Sequence, residues 1–171
     1  MKTLPPSPPN PSRSSILSAR WLLDQLPVER AYQVEEAWKD RGLARVPLGR
    51  QLDSIRVHDN AALQAIEHLP GPVGDYHGVL YHQRLREIEF IVPRGTAVHW
   101  SGGFPTVKAR GRDAESFTLC PRPGTLTRQT FWIRPPGPHL VNPFHLAQSL
   151  TQVGVPGIQY TPPYRPTPAR R

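Results

Sequence analysis

The stretch Ile88–Trp100, IEFIVPRGTAVHW, decides the fold of this chain. It holds the densest run of strand-favouring residues, followed by a Pro-Arg-Gly-Thr turn and then by a tryptophan. The segment FWIRPP at 131–136 repeats the pattern further along the chain. Both segments predict a buried strand that a proline ends, and we expect 88–100 to form the central hairpin of the core.

Helical patterns surround this stretch. Ser14 and Ser15 are good N-cap residues for a first helix that Pro27 ends. The clearest helical pattern covers 28–41, where Gly42 is placed to end the helix. Its apolar stripe holds Val34 and Trp38 and is joined by Tyr32.

Strands and helices then alternate. A strand at 53–57, a helix capped by Asp59 or Asn60, and strands at 79–81 and 87–92 predict a crossover unit. Further strands are expected at 97–100, 117–119 and 127–133, a long loop at 101–112, and a last helix at 143–153 capped by Asn142. The fold class is therefore α+β: a small, mostly antiparallel sheet with N-terminal, crossover and C-terminal helices.

Proline marks the ends of the domain. The chain has 22 prolines in 171 residues, and they concentrate near both ends. We expect a disordered, proline-rich arm at 1–13, a single domain at 14–155, and a disordered basic tail at 156–171.

The charge balance points to polyanionic partners. The formal net charge is +8, which favours nucleic acid or an acidic membrane face. The alternative is a high-GC genome whose codons favour arginine, which fits a content of just three lysines.

The cysteine content and the distribution of apolar residues restrict the expected location and chemistry of the protein. A lone cysteine, Cys120, excludes an intramolecular disulfide and a cysteine-only metal site, which fits a reducing cytoplasm. The sequence shows neither a signal peptide nor a run of apolar residues long enough to span a membrane. We expect a cytoplasmic protein with no membrane span.

Two glutamates are the first candidates for chemistry. Glu87 and Glu89 are two residues apart on a predicted strand, so both carboxylates project from one face. Such a pair could hold Mg²⁺ or Mn²⁺ for nucleotidyl transfer. The favoured interpretation is that they form the solvent side of a half-buried strand, because Ile88, Phe90 and Val92 occupy the other face.

Histidine and cysteine patterns are weaker. His99 beside Trp100 could face a cleft, although a structural role is favoured. The seven histidines show no metal-ligand spacing, so no metal site and no resident cofactor are expected. Mg²⁺ or Mn²⁺ would enter only with the enzyme alternative.

A basic cluster with aromatic neighbours is the strongest binding candidate. Lys108, Arg110 and Arg112 lie on the predicted loop, close in sequence to Trp100 and Phe104. Arginines and aromatics on one loop suit phosphate contact and base stacking; the alternative is a flexible, solvated loop. Arg41, Arg45, Arg50 and Arg56 add to the same field if they face one way, and Arg165, Arg170 and Arg171 supply further charge in the tail.

Four segments resemble a known family: AWKDRGLARVPLGRQLDSIRV at 37–57, GPV at 71–73, IVPRGTAVHW at 91–100 and FWIRPPGPHLVNPFHLAQSL at 131–150. They are similar to small actinobacterial proteins described as distant relatives of bifunctional DNA primase–polymerase N-terminal domains. Active members carry a carboxylate pair on one strand, a downstream histidine and a third carboxylate. Here Glu87, Glu89 and His99 imitate that order loosely, and a third acid, Asp113 or Glu115, lies on no convincing strand, so the resemblance implies a catalytically degenerate relative.

Three functions follow as expectations. The first is a non-catalytic, DNA-binding or RNA-binding accessory protein, which the resemblance links to maintenance, transfer or spread of a plasmid or other mobile element. The second is a metal-dependent nucleotidyl-transfer enzyme that uses Glu87 and Glu89. The third is a protein-interaction module that uses the helix at 28–41 and the proline-rich arms, with no nucleic acid involved.

Overall fold

The computed structural model describes residues 12–71, 76–113 and 115–163, and within them the chain has the predicted α+β fold. The helices are α1 (Arg13–Asp24), α2 (Val28–Arg41), α3 (Asp59–His68) and α4 (Pro143–Gln152). The strands are β1 (Leu43–Pro47), β2 (Leu52–His58), β3 (Val79–His82), β4 (Glu87–Pro93), β5 (Trp100–Ser101), β6 (Val107–Arg110), β7 (Phe117–Pro121), β8 (Thr130–Arg134) and β9 (Gln159–Tyr160).

The main sheet of the described chain has five strands in the order β6-β2-β4-β3-β8, and each neighbouring pair is antiparallel. Because β4 lies antiparallel between β2 and β3, those two strands run in the same direction. Helix α3 connects them, which confirms the predicted crossover unit.

One face of this sheet packs on α3 and α4. Along β4, Ile88, Phe90 and Val92 point to this face at the period of two that a strand imposes. They join Ala62 of α3 and Leu146 of α4 in a buried apolar cluster. Burial of each large apolar side chain contributes about 1.5–3 kcal/mol to folding.

The opposite face is covered as well. Strands β1 and β7 pair with each other in a separate two-stranded sheet, which packs with α1 and α2 over Leu80 and Ile91 of the main sheet. Leu22 of α1 and Trp38 of α2 belong to the same apolar cluster, and the Trp38 indole N–H donates to the Cys120 carbonyl at 3.1 Å. The five-stranded sheet is therefore the middle of three layers.

Helix ends follow local chemistry. Gly42 ends α2 with a φ of 70°, and the Asn142 side chain accepts a hydrogen bond from Phe144 at the start of α4, as predicted. The N-cap of α1 is Ser12, whose hydroxyl accepts from the Ser15 amide, rather than Ser14 or Ser15. The N-cap of α3 is His58, so the predicted cap at Asp59 or Asn60 is also wrong. Tyr32 is 65% exposed, so its predicted place on the buried stripe of α2 is wrong.

The predicted hairpin at 88–100 is also wrong. Residues Ala97–His99 form a 3₁₀ turn instead of a strand, and β4 pairs with β2 and β3 instead of folding back on itself. The buried Asp53 carboxylate accepts a hydrogen bond from the Ala97 amide at 2.8 Å, and this bond holds the start of the turn. A side chain from another strand thus overrides the strand propensity of the segment.

Strand β5 pairs with β9 near the C-terminal end of the described chain. Ser101 lies opposite Gln159, and the Trp100 and Tyr160 rings are 6.1 Å apart. The predicted boundary at 155 therefore falls before the last strand. The predicted loop at 101–112 is likewise wrong, because it contains β6.

Gly102 offers a test of the β5–β9 junction. Its φ is 79°, and a Cβ there would lie 1.7 Å from the Gly157 carbonyl oxygen. Gly154 has a similar φ of 87° but open space around it. We expect Gly154→Ala to lower the free energy of unfolding by about 1–2 kcal/mol, because alanine is strained in the left-handed backbone conformation. Gly102→Ala should cost about 1–3 kcal/mol more because of the clash.

Urea unfolding of the two variants and the natural protein measures this difference. Equal losses of unfolding free energy for Gly102→Ala and Gly154→Ala would contradict the close approach of Gly102 to the Gly157 carbonyl.

Candidate functional site

Glu89 lies at the centre of the covered face with a side chain that is 0% exposed. Hydrogen bonds reach its carboxylate from the Ser54 hydroxyl at 2.5 Å, Arg56 Nη2 at 3.0 Å, His82 Nε2 at 2.5 Å and the Thr118 hydroxyl at 2.7 Å. Three of these donors lie on strands of the main sheet, and Thr118 lies on β7. The carboxylate therefore joins the middle layer to the layer above it.

Strand register explains why these residues meet. Arg56 lies directly opposite Glu89 in the β2–β4 pair, and Ser54 shares its face because it is two residues earlier. Leu80 lies opposite Glu89 in the β3–β4 pair, so His82 lies on the same face of the neighbouring strand. The donors are brought together by pairing between strands that are distant in sequence.

Charge decides the ionisation of this carboxyl. Burial alone would raise the pKa of Glu89, but the His82 hydrogen bond and the Arg56 guanidinium more than offset that effect and lower the pKa to about 2. Glu89 is therefore ionised at neutral pH. An ionised carboxylate can only accept hydrogen bonds. His82 Nε2 is therefore the protonated nitrogen and donates to Glu89.

Glu87 is held by cations too. Lys108 Nζ lies 2.6 Å from its carboxylate, and Arg56 Nε lies 3.6 Å from it. The predicted place of Glu87 and Glu89 on a solvent-facing side is wrong, since both residues are buried. The physical reason is the layer of β1, β7, α1 and α2 that covers this face.

The donor set does not fit a divalent cation. A carboxylate offers about four acceptor positions, and protein donors already use those of Glu89. Within residues 12–71, 76–113 and 115–163, no group of three or more His, Cys, Asp and Glu side chains is placed to hold a metal ion.

The other residues predicted for catalysis lie elsewhere. His99 belongs to the 3₁₀ turn, where its carbonyl accepts from the Thr161 amide. Asp113 accepts from the Glu115 amide and the Ser116 hydroxyl in an exposed turn. The histidine that meets Glu89 is His82, the last residue of β3.

The predicted basic loop is divided by the structure. Lys108 and Arg110 lie on β6, opposite Arg56 and Ser54, so they share the face of the Glu89 network. Arg112 instead donates to the carbonyls of Ala97 and Trp100 and holds the 3₁₀ turn. The predicted loop therefore contains an edge strand of the main sheet, β6, and an arginine, Arg112, that stabilises the 3₁₀ turn.

The aromatic residues predicted to stack on bases are also separated. Trp100 is 2% exposed, so its ring is not available for stacking. Phe104 is 81% exposed in the turn before β6. Arg165, Arg170 and Arg171 lie outside the described residues.

A different basic surface emerges around β7, and we call it the basic groove. It consists of two pockets that share Phe117 and Leu119. The inner pocket, of about 400 Å³, is lined by Arg56, His82, Arg84, Leu85, Arg110, Gln129 and Thr130. The outer pocket, of about 680 Å³, is lined by Arg30, Gln33, Ala37, Arg41, Leu43, Arg45, Pro47, Glu115 and Ser116.

Phe117 lies between the two pockets. The Arg45 guanidinium carbon lies 4.5 Å from the centre of the Phe117 ring, in a cation–π contact. Arg41, Arg45 and Arg56 therefore lie along one surface, as the sequence allowed, whereas Arg50 lines a separate pocket next to Arg94.

Comparison of the chain with protein-family models, with curated proteins and with solved structures finds no match. In the described part of the chain, no helix is both long and apolar enough to cross a membrane.

Sequence reasoning missed Phe117, Arg84 and the role of His82. One signal was available on β4: Ile91 is apolar and shares the face of Glu87 and Glu89. An apolar residue on that face indicates that it is covered. The partner that covers it could not be read from β4 itself.

Replacement of Glu89 tests the buried network. In Glu89→Gln, the amide nitrogen would point a donor at groups that already donate, and Arg56 would lose the nearer of its two buried counter-charges. We expect a loss of about 3–5 kcal/mol in the free energy of unfolding, measured with urea. Glu67→Gln, on the exposed side of α3, should change it by less than about 0.5 kcal/mol. Equal effects of the two substitutions would contradict the network.

Acid should weaken the same network. Because the folded pKa of Glu89 is about 2 and its ordinary value is 4.5, its contribution to stability is present above pH 4.5 and is lost as the pH falls towards 2. The stability difference between the natural protein and Glu89→Gln should shrink across that window. A difference that stays constant from pH 6 to pH 2.5 would contradict an ionised Glu89 in the folded state.

Proposed function

We propose that this protein is a non-catalytic accessory protein that binds single-stranded nucleic acid in the basic groove. The observation that carries the proposal is the placement of six arginines around an accessible aromatic ring, Phe117. The resemblance to primase–polymerase relatives supports a role in the maintenance, transfer or spread of a plasmid or other mobile element.

The charges of the groove favour a polyanion. Glu115 is the acidic residue that lines the outer pocket, against the cations Arg30, Arg41 and Arg45. In the inner pocket, the two carboxylates beneath the surface are already balanced by Arg56 and Lys108. The other arginines therefore leave a positive field at the surface, which attracts phosphates.

The aromatic ring favours an unpaired strand. Every base has a flat face that can stack on an aromatic side chain, and stacking contributes about 1–3 kcal/mol per base. Phe117 is partly exposed between the pockets, and Arg45 is packed against its ring. Arginine and aromatic side chains in this arrangement support contact with both the backbone and the bases.

The nucleotidyl-transfer alternative has less support. It requires Glu87 and Glu89 to bind Mg²⁺ or Mn²⁺, yet both carboxylates already accept bonds from protein cations. A metal would have to displace Arg56 from a buried position. We therefore favour binding without catalysis.

An interaction module is favoured by a different observation. Val28 and Tyr32 lie one turn apart on α2, and both are exposed. A partner protein could cover this side of α2. Tyr32→Ser should then weaken partner binding and leave nucleic-acid affinity unchanged.

The outer pocket offers the direct test of nucleic-acid binding. The double variant Arg41→Gln/Arg45→Gln removes two cations from the groove, and Arg20→Gln/Arg50→Gln removes the same charge from positions that line neither pocket. We expect the first pair to weaken binding of a single-stranded oligonucleotide about tenfold or more. The slope of log affinity against log salt should fall by about 0.7 per lost contact.

Fluorescence anisotropy over a salt series measures both quantities. Equal weakening by the two double variants would show that net charge, not the groove, drives binding. An affinity that does not change with salt would contradict the proposal.

A further inference from the structure

We infer that the inner pocket of the basic groove binds a phosphate monoester, and that its source is the phosphorylated end of a nucleic-acid strand. The choice of source rests on the proposed function, whereas the phosphate site itself rests on the geometry of the pocket.

The first argument is an arginine that forms no ion pair in the described chain. Arg110 is half-buried, yet it makes no ion pair and no hydrogen bond to the described part of the chain. It stands next to Arg56, which lies one strand away on the same face. Burial and the neighbouring Arg56 charge lower the pKa of Arg110, and they outweigh the opposite effect of the Glu89, Glu87 and Asp113 carboxylates.

The second argument is that the nearby carboxylates form their hydrogen bonds and ion pairs with groups other than Arg110. Glu89 is held by four donors from the described strands, and Glu87 is held by Lys108 and Arg56. Two guanidinium groups therefore face one pocket. The carboxylates beneath them pair with other donors, and Glu87 Oε2 is the buried carboxylate oxygen there that accepts no hydrogen bond in the described chain. A bound anion would relieve their repulsion.

The third argument concerns the type of anion. Arg56, Arg84 and Arg110 approach the pocket from β2, from the β3–β4 turn and from β6, respectively. A phosphate monoester carries close to two charges and three terminal oxygens, which suits guanidinium groups that converge from separate elements. A carboxylate or an internal phosphodiester carries one charge and two free oxygens.

The shape of the pocket favours an end of the strand. His82 and Thr130 lie at its buried side, so a ligand enters from the solvent side and stops at the Glu89 network. The open side leads past Phe117 to the outer pocket. A strand could thus place its terminal phosphate in the inner pocket and continue over Phe117.

The experiment compares oligonucleotides of one sequence, about twelve nucleotides long, with a 5′-phosphate, a 3′-phosphate or hydroxyl groups at both ends. We expect one phosphorylated form to bind at least about tenfold tighter than the hydroxyl form at equal salt. Arg110→Gln should abolish that preference and weaken the hydroxyl form much less. Arg20→Gln, with the same change in net charge, should retain the preference.

Arg110→Lys separates charge from geometry, because lysine keeps the charge and loses the planar fork. A partial loss of the preference supports a bidentate contact. Thermal unfolding of each variant verifies that the fold is intact, and Arg84→Gln provides a second, more exposed position for the same measurement.

Titration with a nucleoside monophosphate and with inorganic phosphate distinguishes the sources. Salt-dependent binding of all three oligonucleotides with equal affinity would overturn the phosphate site and leave the proposed function standing. Binding of the monophosphate that depends on Arg110, without oligonucleotide binding, would support the site but overturn both the strand end and the proposed function.

Discussion

The fold depends on a buried carboxylate that must be satisfied. Glu89 lies between the main sheet and the layer that contains β7. Its hydrogen-bond donors come from β2 and β3 of its own sheet and from β7 of the covering layer. A buried anion without these donors would cost several kcal/mol, so the strands have to assemble in one register to accommodate it. The hydrophobic clusters on either side of the sheet supply the stability, and the network specifies how the layers align.

The same network explains the character of the surface above it. Arg56 and Lys108 are committed to the two glutamates, which removes these carboxylates from any role as metal ligands and as partners for further cations. Arg84 and Arg110 therefore remain at the rim of the inner pocket without an ion pair in the described chain. The side chains around the two carboxylates are serine, threonine, histidine, lysine and arginine, so the surroundings supply donors and positive charge.

Local chemistry was predictable where it depends on neighbours in sequence. The helix at 28–41 ends at Gly42, and Asn142 with Pro143 begins α4, because capping involves residues within one turn. The segment 97–100 was not predictable in this way, since its 3₁₀ turn depends on Asp53 and Arg112. For the candidate site, the sequence identified Lys108, Arg110, Glu87 and Glu89. It placed the two cations on a loop and the two glutamates on a solvent-facing side of a strand.

By itself, the sequence determined the α+β class, the end of α2 at Gly42, the start of α4 at Asn142, the alternation of faces along β4 and an excess of positive charge. Each of these follows from short-range periodicity or from composition. Only the tertiary structure decided which sheet face is covered, which histidine meets Glu89 and which arginines lack a counter-charge. The physical reason is that burial and ion pairing are set by strands that pair across long separations in the chain. The neighbours of a residue in sequence do not indicate which distant strand will pair with it or cover it.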